Sequence, residues 1–345
     1  MKRLALALPV VLSLGCRQVA GIGPITYSGG DGGGGGCTNA TAVLSSSEAL
    51  ALVSVSNGFV SAGVLDSDGF AIANIVACPT GTTCMQAKNL LTPAFGDHVE
   101  AYAAASQLYY TLQASTTGSV HSVAYDGTGD QSLLANATSP TYIAVSGART
   151  FWTSDDLTGV ASLHCVGCGT GDQTWISSLG TPYGVLTDAS NVYVVADDGS
   201  GGTNGIYACS VSTACNTNPR TVITGLPSNA SFPAVEVATD GANVYVSNDS
   251  TEIHRVGPTG TQTSVIKGVA ALAIEVDAAT GDLFYATDDG TIARTKADGT
   301  GTPVPLSTCD PGNPNDVWDI AFDATYVYVL VAPTTGASTV YAVKR

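Results

Sequence analysis

An eight-residue phrase recurs along this chain and limits the folds open to it. Thr187-Asp188-Ala189-Ser190-Asn191-Val192-Tyr193-Val194 returns as Thr239-Asp240-Gly241-Ala242-Asn243-Val244-Tyr245-Val246, and again, weakened, as Phe322-Asp323-Ala324-Thr325-Tyr326-Val327-Tyr328-Val329. Each copy follows a run in which apolar residues alternate, such as Val235 and Val237 or Ile320 and Phe322. Alternation, a tight turn opened by Asp, then a second alternating run led by an aromatic reads as a β-hairpin. Four degenerate copies place Phe59, Tyr109, Phe151 and Phe284 at the aromatic position. The seven aromatics are then 39 to 52 residues apart, close to the roughly 40–50 residues of a four-stranded propeller blade.

The stretch after each aromatic repeats too. A turn rich in Asp and Gly follows (Asp66-Ser67-Asp68-Gly69, Asp197-Asp198-Gly199, Asp288-Asp289-Gly290), then a third strand such as Gly205–Ala208 and a fourth such as Arg220–Ile223. Helical periodicity is absent, and the composition agrees: 40 Gly, and Asp far in excess of the five Glu, since Asp hydrogen-bonds its own backbone in turns. The expected fold is all-β, a seven-bladed β-propeller of four-stranded antiparallel blades. A pair of β-sandwiches would not produce a uniform repeat. The last unit stops within its third strand, Thr339–Val343, whereas Thr41–Leu44 has no unit of its own. These two are expected to pair, so that an N-terminal strand closes the ring and neither edge is left open.

The first residues carry a different message. Lys2 and Arg3 precede an apolar run, Leu4 to Leu14, that is too short for a bilayer span, and Gly15-Cys16 follows. Residues 17–36 end in a run of glycines that lacks the flanking strand and helix of a phosphate loop, and reads as a flexible tether. The expected organisation is therefore a signal peptide at 1–15, a lipidated Cys16 with its Gly-rich tether at 16–36, and the propeller at 37–345.

Leu12-Ser13-Leu14-Gly15-Cys16 resembles the lipobox of bacterial lipoproteins, and the blade pattern over residues 40 to 345 resembles propellers of the NHL and YWTD type, especially the lipobox-bearing propellers of secreted bacterial proteins. The resemblance implies a diacylated Cys16 and a domain held at the cell envelope by its lipid anchor. With Arg17 rather than Asp after the cysteine, it favours the outer membrane. It implies a fold and a repeat but no activity, because propellers host many unrelated functions.

Nine cysteines become eight once Cys16 is set aside for lipid. Cys78 with Cys84, Cys165 with Cys168 and Cys209 with Cys215 each bracket the turn between a blade's third and fourth strands, which points to three local disulfides in an exported protein. Cys37 and Cys309 remain, and pairing them would staple the closing strand to the junction of the last two blades. Cys165-Val166-Gly167-Cys168 beside His164 lacks both a second ligand pair for zinc and the helix of a redox motif.

Candidate chemistry is sparse. The formal charge of −16, or −18 after loss of Lys2 and Arg3, repels phosphate backbones and excludes nucleic-acid binding. His98, His121, His164 and His254 fall in separate units, and neither HExxH nor GxSxG occurs. Aligning the units puts Glu100, Tyr142, Gly184, Glu236, Ala273 and Asp319 in one column at the start of the first strands, with Glu275 two residues further along its own. Carboxylates there could hold a cation such as calcium, or a cationic or hydroxylated ligand, at the channel mouth. Tyr183, Phe232 and Trp318 in the entering loops could stack on a sugar or peptide. Two functions are weighed. One is a monomeric binding or scaffold module for protein, peptide or glycan, with no cofactor and no catalytic residue. The other is a metal-dependent lyase or hydrolase of a polysaccharide or lactone, with the channel carboxylates and His98 as acid and base.

Overall fold

The computed structural model describes residues 37–65, 72–84, 88–91, 93, 98–114, 117–155, 161–197, 203–227, 236–247, 252–309, 317–332 and 338–345. The signal peptide, Cys16 and the tether lie outside these residues, as do Asp66–Gly69 and Phe232. The described strands form seven four-stranded antiparallel blades in chain order, so the chain is a seven-bladed β-propeller. Blade four is representative: Pro182–Thr187, Asn191–Asp197, Thr203–Ser210 and Arg220–Pro227 lie side by side. A single bridge, Ile72 to Val99, also links the sheets of blades one and two.

Closure takes the expected form. Ala40–Ser46 pairs antiparallel with Ser338–Lys344, from Ala40 opposite Val343 to Ser46 opposite Ser338, and becomes the outermost strand of blade seven. All four expected disulfides are present: Cys37–Cys309, Cys78–Cys84, Cys165–Cys168 and Cys209–Cys215. The first of them ties the closing strand to the end of blade six, across 272 residues of sequence. Bridges of this number suit a chain that folds in an oxidising compartment.

The core divides into seven clusters, one at each blade interface. The repeated phrase explains why. In Asn191-Val192-Tyr193-Val194, Val192 and Val194 pack toward blade three while Tyr193 packs toward blade five. A strand alternates its side chains between two faces, and both faces of a blade are buried. The seven aromatics of the repeat all stand on the second strand of their blade and face the following one.

The Asp that opens the phrase has a matching task. The Tyr193 hydroxyl donates to Asp188 Oδ2 at 2.7 Å, while Asp188 Oδ1 accepts the backbone N–H groups of Ser190 and Asn191. Asp240 with Tyr245 (2.6 Å) and Asp323 with Tyr328 (2.8 Å) repeat this bracket. One carboxylate thus satisfies the turn and fixes the aromatic that fills the next interface. Burial, followed by the nearby carboxylate, raises the pKa of all three tyrosines. In blade six the aromatic is Phe284, which has no hydroxyl. Asp277 takes the Arg345 guanidinium instead, and that group also lies over the Phe284 and Phe322 rings at 4.8 and 5.0 Å.

Candidate functional site

The candidate face lies at the other end of the inner hairpin, where each first strand begins. Six blades share a feature there that the sequence did not announce. The pairing of the first two strands slips by one residue between Ala51 and Val53, Val99 and Ala101, Pro140 and Ile143, Pro182 and Gly184, Ala271 and Ala273, and Val317 and Asp319. The described part of blade five begins at Glu236, just beyond the equivalent place. A bulge inserts one residue, locally interrupts the ladder and re-aims side chains. Leu52 shows this in its backbone, with φ of +57°.

Strand pairing fixes the column. Two residues before the partner of each repeat aromatic stand Ser54, Ala101, Tyr142, Gly184, Glu236, Ala273 and Asp319. Glu100 therefore lies one residue earlier than the repeat alignment put it, at the bulge that Tyr183 and Trp318 also occupy, while Tyr142 keeps its place in the column at the edge of its own bulge. The repeat slipped in blade two because its turn is one residue shorter: Ala103 lies opposite Tyr109, six residues on, whereas Leu186 lies opposite Tyr193, seven residues on. Glu275 is opposite Phe284, two residues past the column.

Neighbouring blades satisfy the backbone groups that these bulges free. Tyr102 Oη donates to Leu52 O at 2.8 Å, Thr111 Oγ1 to Thr141 O at 2.7 Å, and Ser247 Oγ to Ala271 O at 2.7 Å. Asp319, 3% exposed, accepts the Val53 N–H through Oδ2 at 2.8 Å and the Ile320 N–H through Oδ1 at 2.8 Å. Its carboxylate joins blade seven to blade one. Burial, and then the charge of Asp319, hold the Tyr102 hydroxyl well above the ordinary tyrosine pKa. Glu236 occupies the same register in blade five and is equally buried at 3%. Among the described residues, no group of three or more His, Cys, Asp or Glu side chains is placed to hold a metal ion. Tyr142 and Tyr183 are half-buried at the bulge positions.

Two further features lie away from this face. A pocket of about 200 Å³ between the turns of blades four and five is lined by Tyr193, Arg220 and Pro258, among others; ligand sites usually start near 300 Å³. Three of the four histidines share a register on third strands. His121, His164 and His254 pair with Tyr110, Trp152 and Val246 of the second strands. The sequence did carry that signal, as Ser119-Val120-His121 and Ser162-Leu163-His164 recur one blade apart.

The fold and this face define a β-propeller whose inner strands carry a ring of bulges. No protein-family model matches the chain, and no curated protein matches it. Solved structures do. A chain of a nidogen/laminin complex aligns with 74% of this chain and 90% of its own at 14% identity, with a TM-score of 0.45. The extracellular domain of a hybrid two-component system from B. thetaiotaomicron covers 87% of this chain at 13% identity and TM-score 0.56, the match spanning 39% of that chain. A chain of a mitotic checkpoint complex covers 94% of this chain and 98% of its own at 13% identity and TM-score 0.59. At such identities the last two show the fold alone.

Proposed function

We propose that the protein is an extracytoplasmic binding or scaffold module, tethered to the envelope through a lipidated Cys16 and recognising protein, peptide or glycan with its bulged face. One observation carries the reading: the backbone of that face repeats from blade to blade while its residues do not. The bulge positions hold Leu52, Glu100, Tyr142, Tyr183, Leu272 and Trp318 on one frame. A rigid scaffold with varied side chains at equivalent places suits recognition, and Tyr and Trp are the residues that dominate contact surfaces. The four disulfides support an oxidising location. An outer-membrane anchor and a monomeric state complete the proposal.

Two experiments test it. Alkyne-palmitate labelling of cells expressing the chain should mark the protein and fail with Cys16→Ser; unlabelled wild type overturns the anchor. Glycan and peptide arrays probed with the purified domain should give a defined ligand class, with binding at least tenfold weaker in Tyr142→Ala and Tyr183→Ala. No ligand on either array, or unchanged binding in both variants, overturns the recognition face.

A second reading, a calcium-dependent lyase or hydrolase at the channel, draws on Glu236 and Asp319 sharing a register. Against it, both oxygens of Asp319 already accept backbone N–H groups. Calcium should raise the melting temperature of wild type but not of Glu236→Gln if this reading holds. No calcium effect on wild type removes it.

A further inference from the structure

The third strand of blade three brings together a serine, a histidine and an aspartate in a relay. Ser162 Oγ is 2.9 Å from His164 Nε2, and His164 Nδ1 is 2.8 Å from Asp172 Oδ2. Ser162 and His164 are two residues apart on one strand, so they share a face; Asp172 comes from the turn into the fourth strand. The Asp172 contact selects the tautomer in which Nδ1–H donates to the carboxylate, leaving the Nε2 lone pair to a hydroxyl; Ser162 Oγ, which also lies 2.9 Å from Ser154 Oγ, is nearer to it than Ser154 Oγ at 3.4 Å. The indole of Trp152 stacks on the imidazole at 4.3 Å and 17°. Trp152 is 1% exposed, and its Nε1 is buried without a hydrogen-bond partner.

Blade two holds an unequal copy of this arrangement. His121 Nε2 meets Ser119 Oγ at 2.8 Å, but Nδ1 is 3.3 Å from Asp130 Oδ1, an oxygen that also accepts the Tyr110 hydroxyl at 2.8 Å. Asp130 therefore orients its histidine less firmly. In blade three Asp172 is placed to stabilise the positive charge that forms on the ring when the histidine takes the serine proton.

We propose that Ser162, His164 and Asp172 form a nucleophilic site that hydrolyses small neutral carboxylic esters. Ser162 Oγ attacks the ester carbonyl as its proton passes to His164 Nε2. The ester C–O bond breaks and the alcohol leaves with that proton. Water then attacks the acyl-serine carbonyl, giving a proton to His164; the acid departs, and the proton returns to Ser162. Asp172 holds the tautomer and stabilises the imidazolium throughout. Ser162 is half-buried, so the proposed substrates are confined to esters with a short acyl group. The formal charge of −16 disfavours anionic esters.

The test uses the purified chain with its disulfides intact. A fluorophosphonate probe should label the folded wild type once, at Ser162 by peptide mass spectrometry, and p-nitrophenyl acetate should be hydrolysed above the buffer rate. Ser162→Ala should lose both signals, and Ser119→Ala should keep them. Asp172→Asn should lower the esterase rate by about 10²–10⁴, as expected when the orienting carboxylate is lost. Because the first measurement needs no variant, a folding defect cannot hide the answer. An unlabelled folded wild type, or a label on any other serine, overturns the proposal.

Discussion

The two ends of the inner hairpins use repetition in opposite ways. At the turn end, blades four, five and seven keep the same side chains, an Asp bracketing a Tyr, and in blade six, where the tyrosine hydroxyl is missing, Asp277 takes Arg345 from the end of blade seven. At the bulged end the backbone repeats, but the residues run from Leu52 to Glu100 to Tyr183. Repeated chemistry marks what each blade needs in order to stack on the next. At the bulged end stacking falls to a few groups, such as Asp319 and Tyr102, that reach the backbone of the next or preceding blade, and the residues at the bulges are free to differ. On the proposed function, stability rests chiefly with the first end and recognition with the second.

The largest way to break the comparison is to open the ring. Replacing Cys37 and Cys309 with Ser removes a cross-link over 272 residues, worth up to about 5 kcal/mol in the chain-entropy picture. Guanidinium unfolding should show that loss, and the closing strand should exchange its amide protons first. Arg345→Ala comes next, because it strips the partner from buried Asp277 and a cation from two rings. It should cost roughly 2–3 kcal/mol, less than a fully buried pair. Tyr245→Phe removes one hydrogen bond to a carboxylate and should cost about 1–2 kcal/mol.

Acid sharpens the same contrast. Burial pushes the Asp240 pKa up, but hydrogen bonds from Tyr245, Asn243 and Ala242 outweigh it and the carboxyl sits below its ordinary value; at Asp277, Arg345, Thr280 and Ala279 outweigh burial in the same way. A folded-state pKa below the unfolded one contributes stability that is fully present above the unfolded value of about 3.9 and is lost as pH falls through the folded value. Urea midpoints should hold steady from pH 7 to 5 and drop below about 4. Asp240→Asn should be less stable at neutral pH and show a shallower acid drop.

Much of the fold was legible because the bracket is written in the sequence. Asp188 and Tyr193, Asp240 and Tyr245, and Asp323 and Tyr328 stand five residues apart, and that interval carries the blade period. The disulfides were legible because the cysteines fall at equivalent turns. The candidate face was legible only in part. A bulge is a property of the backbone pairing between a blade's first two strands, so Leu52, Tyr142 and Trp318 share no residue type that could betray it. Glu100 was displaced by one position because the turn of blade two is one residue shorter than those of the clearer repeats. The relay at Ser162, His164 and Asp172 went unread although Ser-x-His recurs, because its aspartate arrives from a turn of different length in each blade.

The smallest expected stability effect carries the most functional weight. Tyr183 is half-buried at its bulge, and Tyr183→Ala should change stability by less than about 1 kcal/mol. The most direct measurement therefore places Tyr183→Ala beside Tyr245→Phe, reading unfolding free energy and affinity for the ligand class found on the arrays. The division of labour predicts a crossover: Tyr245→Phe loses stability and keeps affinity, whereas Tyr183→Ala keeps stability and loses affinity at least tenfold. If both variants lose the same property, or Tyr183→Ala destabilises as much as Tyr245→Phe while binding unchanged, the two ends of the hairpin do not divide the work and the account fails.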